Sequence, residues 1–358
     1  MKVLLVSPIP PPYGGIANWT AMMLDYVKNT DDTFETVNIA PKKRSTEGRT
    51  LFDRVVVSGF DMLSKRRLLK KKILESKPDV IHMTTSGQLA IFRDILLLKT
   101  ARKLGVPTVY HIRFGRTAEM AENGSAMWRF FKKAMGLASA VMAIDKKTCE
   151  AIKKHVPEAD VVLVPNPVNT KKLPPVCEST EKQVVFLGWV IKTKGVDELV
   201  EAWNTVGEKY PDYKLLVIGQ AKTEYLEELK SKVKVENIEF TGEMEHGKAM
   251  ETLSKSEVFV LPSYTEGFPN AVVEAMALKK SVVATSVGAI PEMLEGDCGI
   301  LIKPKSVEDT VVALDKVLGD TALRDRLAEN ARSKVYENYE LDAVYSRYKE
   351  IWNGVKEK

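Results

Sequence analysis

The sequence predicts an α/β protein built from two doubly wound parallel sheets, and three observations carry that prediction. Its 358 residues exceed what one core usually serves and suit two domains. Short apolar, β-branched runs alternate with amphipathic stretches in two successive sets, the pattern of strand–helix–strand units. Between the sets, VVLVPNPVNTKKLPPVCEST gathers Pro, Asn, Thr and Ser and reads as a linker near residues 165–182.

In the first set VLLVS is a strand, followed by a loop and a helix around IANWTAMMLDYV. PDVIHM is the next strand, then a helix around LAIFRDILLLKTARKLG, then the strands VPTVYHI and ASAVMAI. In the second set QVVFLGW, YKLLVIG, IEFTG, VFVLPS, SVVATSV and GILI read as strands. The helices GVDELVEAWNTVGEKY, EYLEELKSKVKV, HGKAMETLSKS and AVVEAMAL separate the first five of them, and a helical region closes the chain. Two Rossmann-like domains with ligands at the carboxyl ends of their strands are the expectation.

Composition narrows the function classes. Hydrophobic content of 44% and charged content of 28% describe a soluble globular protein, without the run of about 18 apolar residues that a membrane span needs. MKVLLV is soon cut off by prolines and reads as a core strand rather than a signal peptide. Cys149, Cys177 and Cys298 are odd in number and scattered, which points to a reducing cytoplasm and away from a metal or disulfide framework. Charge is uneven: residues 1–170 carry 27 Lys+Arg against 16 Asp+Glu, the remainder 26 against 32.

The most informative segment is EGFPNAVVEAMA, where Glu266 and Glu274 stand eight residues apart across a Gly-Phe-Pro-Asn turn. Glu266 falls in the loop after the strand VFVL, and Glu274 one to two turns into the next helix. The free N–H groups of that helix start favour an anion. Two carboxylates beside an anion-binding turn suit a ligand with hydroxyls and phosphate, such as a nucleotide-sugar. Other loops fall at the same sheet edge. Gly14 and Gly15 open the first helix, Lys192 and Lys194 precede another, Gly219 ends LVIG, and Glu292 follows SVVATSV. Each alone reads as a turn or a solvated lysine; together they mark one edge.

These residues resemble the family-4 retaining glycosyltransferases of GT-B architecture, almost end to end. The landmarks are SPIPPPYGG, VPNPV, FLGW with KGVDELVEAW, LLVIGQA, IEFTGE, PSYTEGFPNAVVEAMA, SVGAIPEML and CGILIKP. The resemblance implies an acceptor-binding domain at 1–168 and a nucleotide-sugar-binding domain at 169–339, facing across a cleft, with 340–358 packing back on the first. It implies that Glu266 binds donor-sugar hydroxyls, with the amides of Gly267, Phe268 and Asn270 lining the sugar and phosphate pocket. Glu274 would take the ribose hydroxyls and Lys194 the departing diphosphate. Gly14 and Gly15 would close the phosphate pocket, and Met244 would meet the base. Many members carry an arginine where this chain has Trp189; Lys192 or Arg113 is the candidate replacement, or the tryptophan packs the cleft.

The reaction then implied is front-face transfer with retention, in which the protein positions and neutralises charge. No cofactor and no essential metal are expected. His111, ending the strand VYHI, is a candidate to contact the reacting sugar or acceptor, and a structural role is the plain alternative. Arg113 and Arg116 could hold an acidic or phosphorylated acceptor; His82 has a weaker claim, and His155 and His246 read as ordinary loop or helix residues. In FDMLSKRRLLKKKILESK, residues 60–77, the stretch 60–76 is either a packed surface helix or a peripheral contact with an anionic membrane on its cytoplasmic face. A lipid-linked saccharide acceptor would suit it; no nucleic-acid-reading motif accompanies it. The competing functions are a nucleotide-sugar epimerase or phosphorylase of the same fold, and a catalytically weak binding protein. A dehydrogenase is disfavoured because SPIPPPYGG lacks G-x-G-x-x-G.

Overall fold

A computed structural model describes residues 1–11, 14–40, 51–176 and 181–357, with backbone alone for 51–58. Pro12 and Tyr13 of the first loop, Cys177 and the end of the expected linker lie outside the described residues. The chain divides into two compact units, one of residues 1–164 with 345–358 and one of 165–344.

In chain order the first unit holds β1 (Lys2–Ser7), α1 (Gly15–Tyr26), β2 (Thr33–Asn38), α2 (Leu51–Ser76), β3 (Val80–Thr85) and α3 (Ala90–Lys103). It continues through β4 (Thr108–Ile112), α4 (Thr117–Glu122), α5 (Ala126–Met135), β5 (Ala140–Ala143), α6 (Lys146–His155) and β6 (Val161–Leu163). The second unit holds β7 (Gln183–Leu187), α7 (Val196–Lys209), β8 (Lys214–Ile218), α8 (Thr223–Ser231), β9 (Ile238–Gly242), α9 (His246–Lys255) and β10 (Val258–Leu261). It ends with α10 (Asn270–Ala277), β11 (Ser281–Thr285), α11 (Ile290–Leu294), β12 (Ile300–Ile302), α12 (Val307–Gly319) and α13 (Thr321–Asn338); α14 (Leu341–Lys356) closes the chain.

Among the described residues each unit has one six-stranded parallel sheet, ordered β2-β1-β3-β4-β5-β6 and β12-β11-β10-β7-β8-β9. The α/β, doubly wound class expected from the sequence is therefore the fold. Parallel sheets with helices on both faces bury both faces of their strands, which is why β7, β8 and β10 are nearly continuous apolar runs. Trp203, Phe186 and Phe259 are fully buried in the second core, each contributing about 1.5–3 kcal/mol by burial. Strands β2 and β6, absent from the sequence reading, are the edges of the first sheet. There TFETVN is mostly half-buried, and VVL is only three residues long.

The order of each sheet reverses at its first strand. In the second unit β7 lies between β8 and β10; in the first, β1 lies between β2 and β3. Loops leaving the two strands beside a reversal diverge to opposite faces and leave a crevice at the carboxyl edge, where ligands of such sheets bind.

The first unit is completed by α14, whose residues from Tyr345 onward belong to it. Tyr345, Tyr348, Trp352 and Val355 are buried. Tyr345 donates to Asp32 Oδ2 at 2.8 Å, and Lys349 and the amino terminus pair with the same carboxylate at 3.3 and 2.7 Å. Burial pushes the Asp32 carboxyl up, but these three donors outweigh it and hold the group below its usual range.

Candidate active site

In the second unit the crevice beside β7 is built by two loops. The first leaves β7 through Gly188 and Trp189 and makes a single 3-10 turn over Lys192–Lys194 before α7. Gly195 ends that turn at φ 70°, and a Cβ there would sit 2.0 Å from the Pro262 carbonyl oxygen. Only glycine lets the turn lie against the end of β10. The second loop leaves β10 through Pro262 and Ser263. Tyr264 N–H donates to Thr193 O at 2.9 Å, and its hydroxyl donates to the Glu198 carboxylate at 2.7 Å.

This strapping places Lys194 Nζ 2.6 Å from Glu266 Oε1. Ser263 Oγ donates to the same oxygen at 2.6 Å, so both bonds fall on Oε1. The Glu266 side chain is 10% exposed and that of Lys194 26%, so the pair is partly desolvated yet reachable. Glu266 and Lys194 are 72 residues apart and meet because β10 pairs with β7.

After Glu266 the chain turns through Gly267, whose carbonyl accepts from Ala289 N–H at 2.9 Å in the loop after β11. Phe268 turns its ring inward, 5.8 Å from Tyr339 edge to face. Pro269 precedes α10, so the helix has no side-chain cap, and Asn270 is its first residue. Asn270 Oδ1 accepts from Asn166 Nδ2 at 3.1 Å, which docks the VPNPV segment onto the start of α10. Glu274 lies one turn further and is 18% exposed; its Oε1 is 2.9 Å from His246 Nε2. His246 was read as an ordinary residue. Its position follows from the fold, because every helix of a parallel sheet starts at the same edge, and His246 opens α9 beside α10. The hydrogen bond that His246 Nε2–H donates to Glu274 raises the pKa of His246 above its ordinary value.

The remaining candidates of this unit separate. Gly219 serves the backbone: at φ 152° its added Cβ would lie 1.7 Å from the Gly188 carbonyl oxygen. Lys192 is turned to Glu228 on α8 at 3.4 Å, and its ammonium lies 5.8 Å from the Tyr225 ring centre. Met244, between β9 and α9, is half-buried against the core. Trp189 is 70% exposed rather than packed.

In the first unit Gly14 and Gly15 stand at the start of α1, where an added Cβ would meet nothing within 4 Å. His111 is fully buried rather than open at a strand end. Its Nδ1 lies 3.0 Å from His82 Nε2 and its Nε2 3.4 Å from Arg113 Nη1. Trp352 Nε1 donates to His82 Nδ1 at 3.1 Å, and Trp19 Nε1 donates to the Tyr348 hydroxyl at 3.3 Å. The Arg113 guanidinium lies 4.6 Å from the centre of the Trp19 ring. Burial lowers both imidazoles, His82 to about 3 and His111 well below its ordinary value, and the Arg113 charge adds to both shifts. Burial also lowers Arg113, to about 10, so it remains a cation at neutral pH. Arg116 is separate, exposed and bidentate to Glu119 at 2.7 and 2.8 Å. Cys149 and Cys298 are buried and form no disulfide among the described residues.

Two doubly wound units, each built on one six-stranded parallel sheet, give the two-domain α/β architecture called GT-B. The description "Glycosyl transferases group 1" matches residues 170–334, and "Glycosyltransferase Family 4" matches residues 36–172. The chain belongs to the family-4 glycosyltransferases. It is 26% identical over 170 residues to the capsular polysaccharide biosynthesis glycosyltransferase CapM of Staphylococcus aureus, covering 47% of this chain and 45% of that one. It is 24% identical over 294 residues to the putative teichuronic acid biosynthesis glycosyltransferase TuaC of Bacillus subtilis, covering 76% and 71%. The chain thus spans less than half the length of CapM. HepE of Anabaena, solved in complex with UDP, superposes with a TM-score of 0.74 at 16% identity, covering 99% of this chain and all of HepE.

Proposed function

We propose that the protein transfers a sugar, with retention, from a nucleoside diphosphate-sugar to a saccharide or lipid-linked saccharide acceptor in cell-surface polysaccharide or glycolipid synthesis. The observation that carries this reading is the Lys194–Glu266 contact at the β7/β10 reversal, one turn of α10 away from Glu274. A diphosphate entering there offers Lys194 a more highly charged partner than Glu266. The lysine then neutralises the leaving group, and the released Glu266 accepts from sugar hydroxyls. The departing phosphate oxygen takes the acceptor's proton, so no protein base is required. The capsular polysaccharide and teichuronic acid biosynthesis in the names of CapM and TuaC, and the UDP bound to HepE, support a nucleotide-sugar donor and a surface-glycan product.

A panel of nucleotide-sugars, monitored by nucleoside diphosphate release with and without saccharide acceptors, tests the reading. The anomeric configuration of the product, read by NMR, tests retention, and an inverted product would sink it. Epimer formation from donor alone would favour the epimerase alternative.

His246 gives a pH dependence. Because Glu274 raises its pKa, the contact is fully formed below the ordinary histidine value and is lost as pH rises through the raised value. A ribose that takes over the Glu274 carboxylate therefore displaces a stronger partner in acid. Nucleoside diphosphate affinity, measured by calorimetry, should be weaker near pH 6 than near pH 8, and His246→Ala should flatten the difference. An unchanged slope in that variant would exclude the competition.

We also place the unit that contains α2 at an anionic membrane surface. At about 100° per residue, Lys70, Leu63, Leu74, Arg67, Phe60 and Lys71 fall within an arc of about 100° that mixes three basic with three apolar side chains. All six are exposed, Phe60 by 70% and Leu74 by 57%, while Leu69 and Ile73 on the opposite side are buried. No helix among the described residues is long and apolar enough to cross a membrane. Each basic residue contributes about 1 kcal/mol near an anionic surface, so converting Arg67, Lys70 and Lys71 to Gln should weaken vesicle binding roughly a hundredfold. Equal sedimentation with neutral and anionic vesicles would sink the electrostatic reading.

A further inference from the structure

The chain Trp352–His82–His111–Arg113, buried except at its half-buried guanidinium end, holds one proton too many. It contains three contacts: Trp352 Nε1 to His82 Nδ1 at 3.1 Å, His82 Nε2 to His111 Nδ1 at 3.0 Å, and His111 Nε2 to Arg113 Nη1 at 3.4 Å. The indole at one end and the guanidinium at the other can only donate. Each neutral imidazole brings one N–H, which makes four protons for three contacts, and one contact must therefore set donor against donor. The two short contacts are satisfied together in one way. Trp352 donates to His82 Nδ1, His82 Nε2–H donates to His111 Nδ1, and the His111 proton is left on Nε2. The mismatch then falls on the longest contact, where His111 Nε2–H and the Arg113 guanidinium point at one another.

We propose that Trp352 and His82 are positioning residues that lock His111 as a donor through Nε2, so that His111 and Arg113 together present donors to one anionic oxygen of a ligand. An oxygen set to one side of this 3.4 Å contact, within reach of both nitrogens, accepts from both and removes the mismatch. Its class is a phosphate or carboxylate oxygen, since one of its two partners is a cation. The same polarity means that His111 does not act as a general base: its Nδ1 lone pair is occupied by His82 and its Nε2 bears the proton. Trp352 reaches this chain from α14, 270 residues from His82. The rings of Trp19 and Tyr348 close on both histidines, 5.3–5.9 Å between centroids, and hold the two imidazoles in place. The identity of the ligand as an acceptor group rests on the transferase reading; the proton order does not.

The chain has four histidines, so the tautomers can be read directly on histidine-labelled protein by long-range proton–nitrogen NMR. His82 and His111 should both show the Nε2–H pattern in the free full chain. Trp352→Phe removes one of the four protons and should move His111 toward Nδ1–H, because Arg113 can then donate to its Nε2. Inorganic phosphate should shift the His111 Nε2–H resonance in the wild-type protein and leave it in place in Arg113→Gln. An Nδ1–H pattern for wild-type His111 would overturn the proposal even if Trp352→Phe fails to fold. So would phosphate shifts confined to His155 and His246. These readouts use no sugar donor, so a failed transferase assay and a failed proton order are separate results.

Discussion

Lys194→Ala is expected to lower turnover by about 10²–10³-fold, the loss typical of removing one group that stabilises developing negative charge in a dry site. Nucleoside diphosphate release under saturating donor measures it. The variant also strips Glu266 of one of two partners, so a purely structural explanation must be separated from a chemical one. A double-mutant cycle does this. If Lys194 only neutralises Glu266, then Lys194→Ala combined with Glu266→Gln removes the unpaired charge and recovers turnover toward the Glu266→Gln level. If Lys194 meets the leaving diphosphate, the double variant stays below both single variants. Wild-type turnover in Lys194→Ala would take the lysine out of the mechanism altogether.

The second large effect is on binding. Glu274→Ala should weaken nucleoside diphosphate affinity by about 10–100-fold, because hydrogen bonds to a charged partner contribute about 1.5–3 kcal/mol and each 1.4 kcal/mol is tenfold. The His246 contact is lost in the same variant, but that residue is exposed and its ring is solvated without a partner. A 2′-deoxy nucleotide tests the assignment: the wild-type protein should bind it less tightly than the ribonucleotide, and the variant should bind the two alike. Unchanged affinity for the ordinary nucleotide would refute the ribose role of Glu274.

Much of the fold could be read from the residues, and the reason is physical. Strands β7 to β12 are short apolar runs bounded by glycine, proline or polar loops, because nearly all are covered by helices on both faces. The edge strands β2 and β6 were hidden by their own make-up, unlike β9 and β12 at the edges of the second sheet. TFETVN keeps polar residues and VVL merges into the proline-rich stretch that follows. The Glu266–Glu274 segment was legible because strand, turn and helix lie in one continuous stretch, and local spacing fixes their relation. His246 was not, since its partner depends on two neighbouring helices starting at the same sheet edge.

The sequence alone carried the α/β class, the two sets of strands and the family resemblance, all of which depend on local periodicity and contiguous motifs. Tertiary structure decided the pairings. Lys194 meets Glu266 because the sheet order sets β10 against β7, and His111 is buried because α14 lays Tyr348 and Trp352 over β3 and β4. Side chains 72 and 270 residues apart share no local signal. Burial of the histidine chain then limits its protons, and that limit sets which nitrogen of His111 can face a ligand.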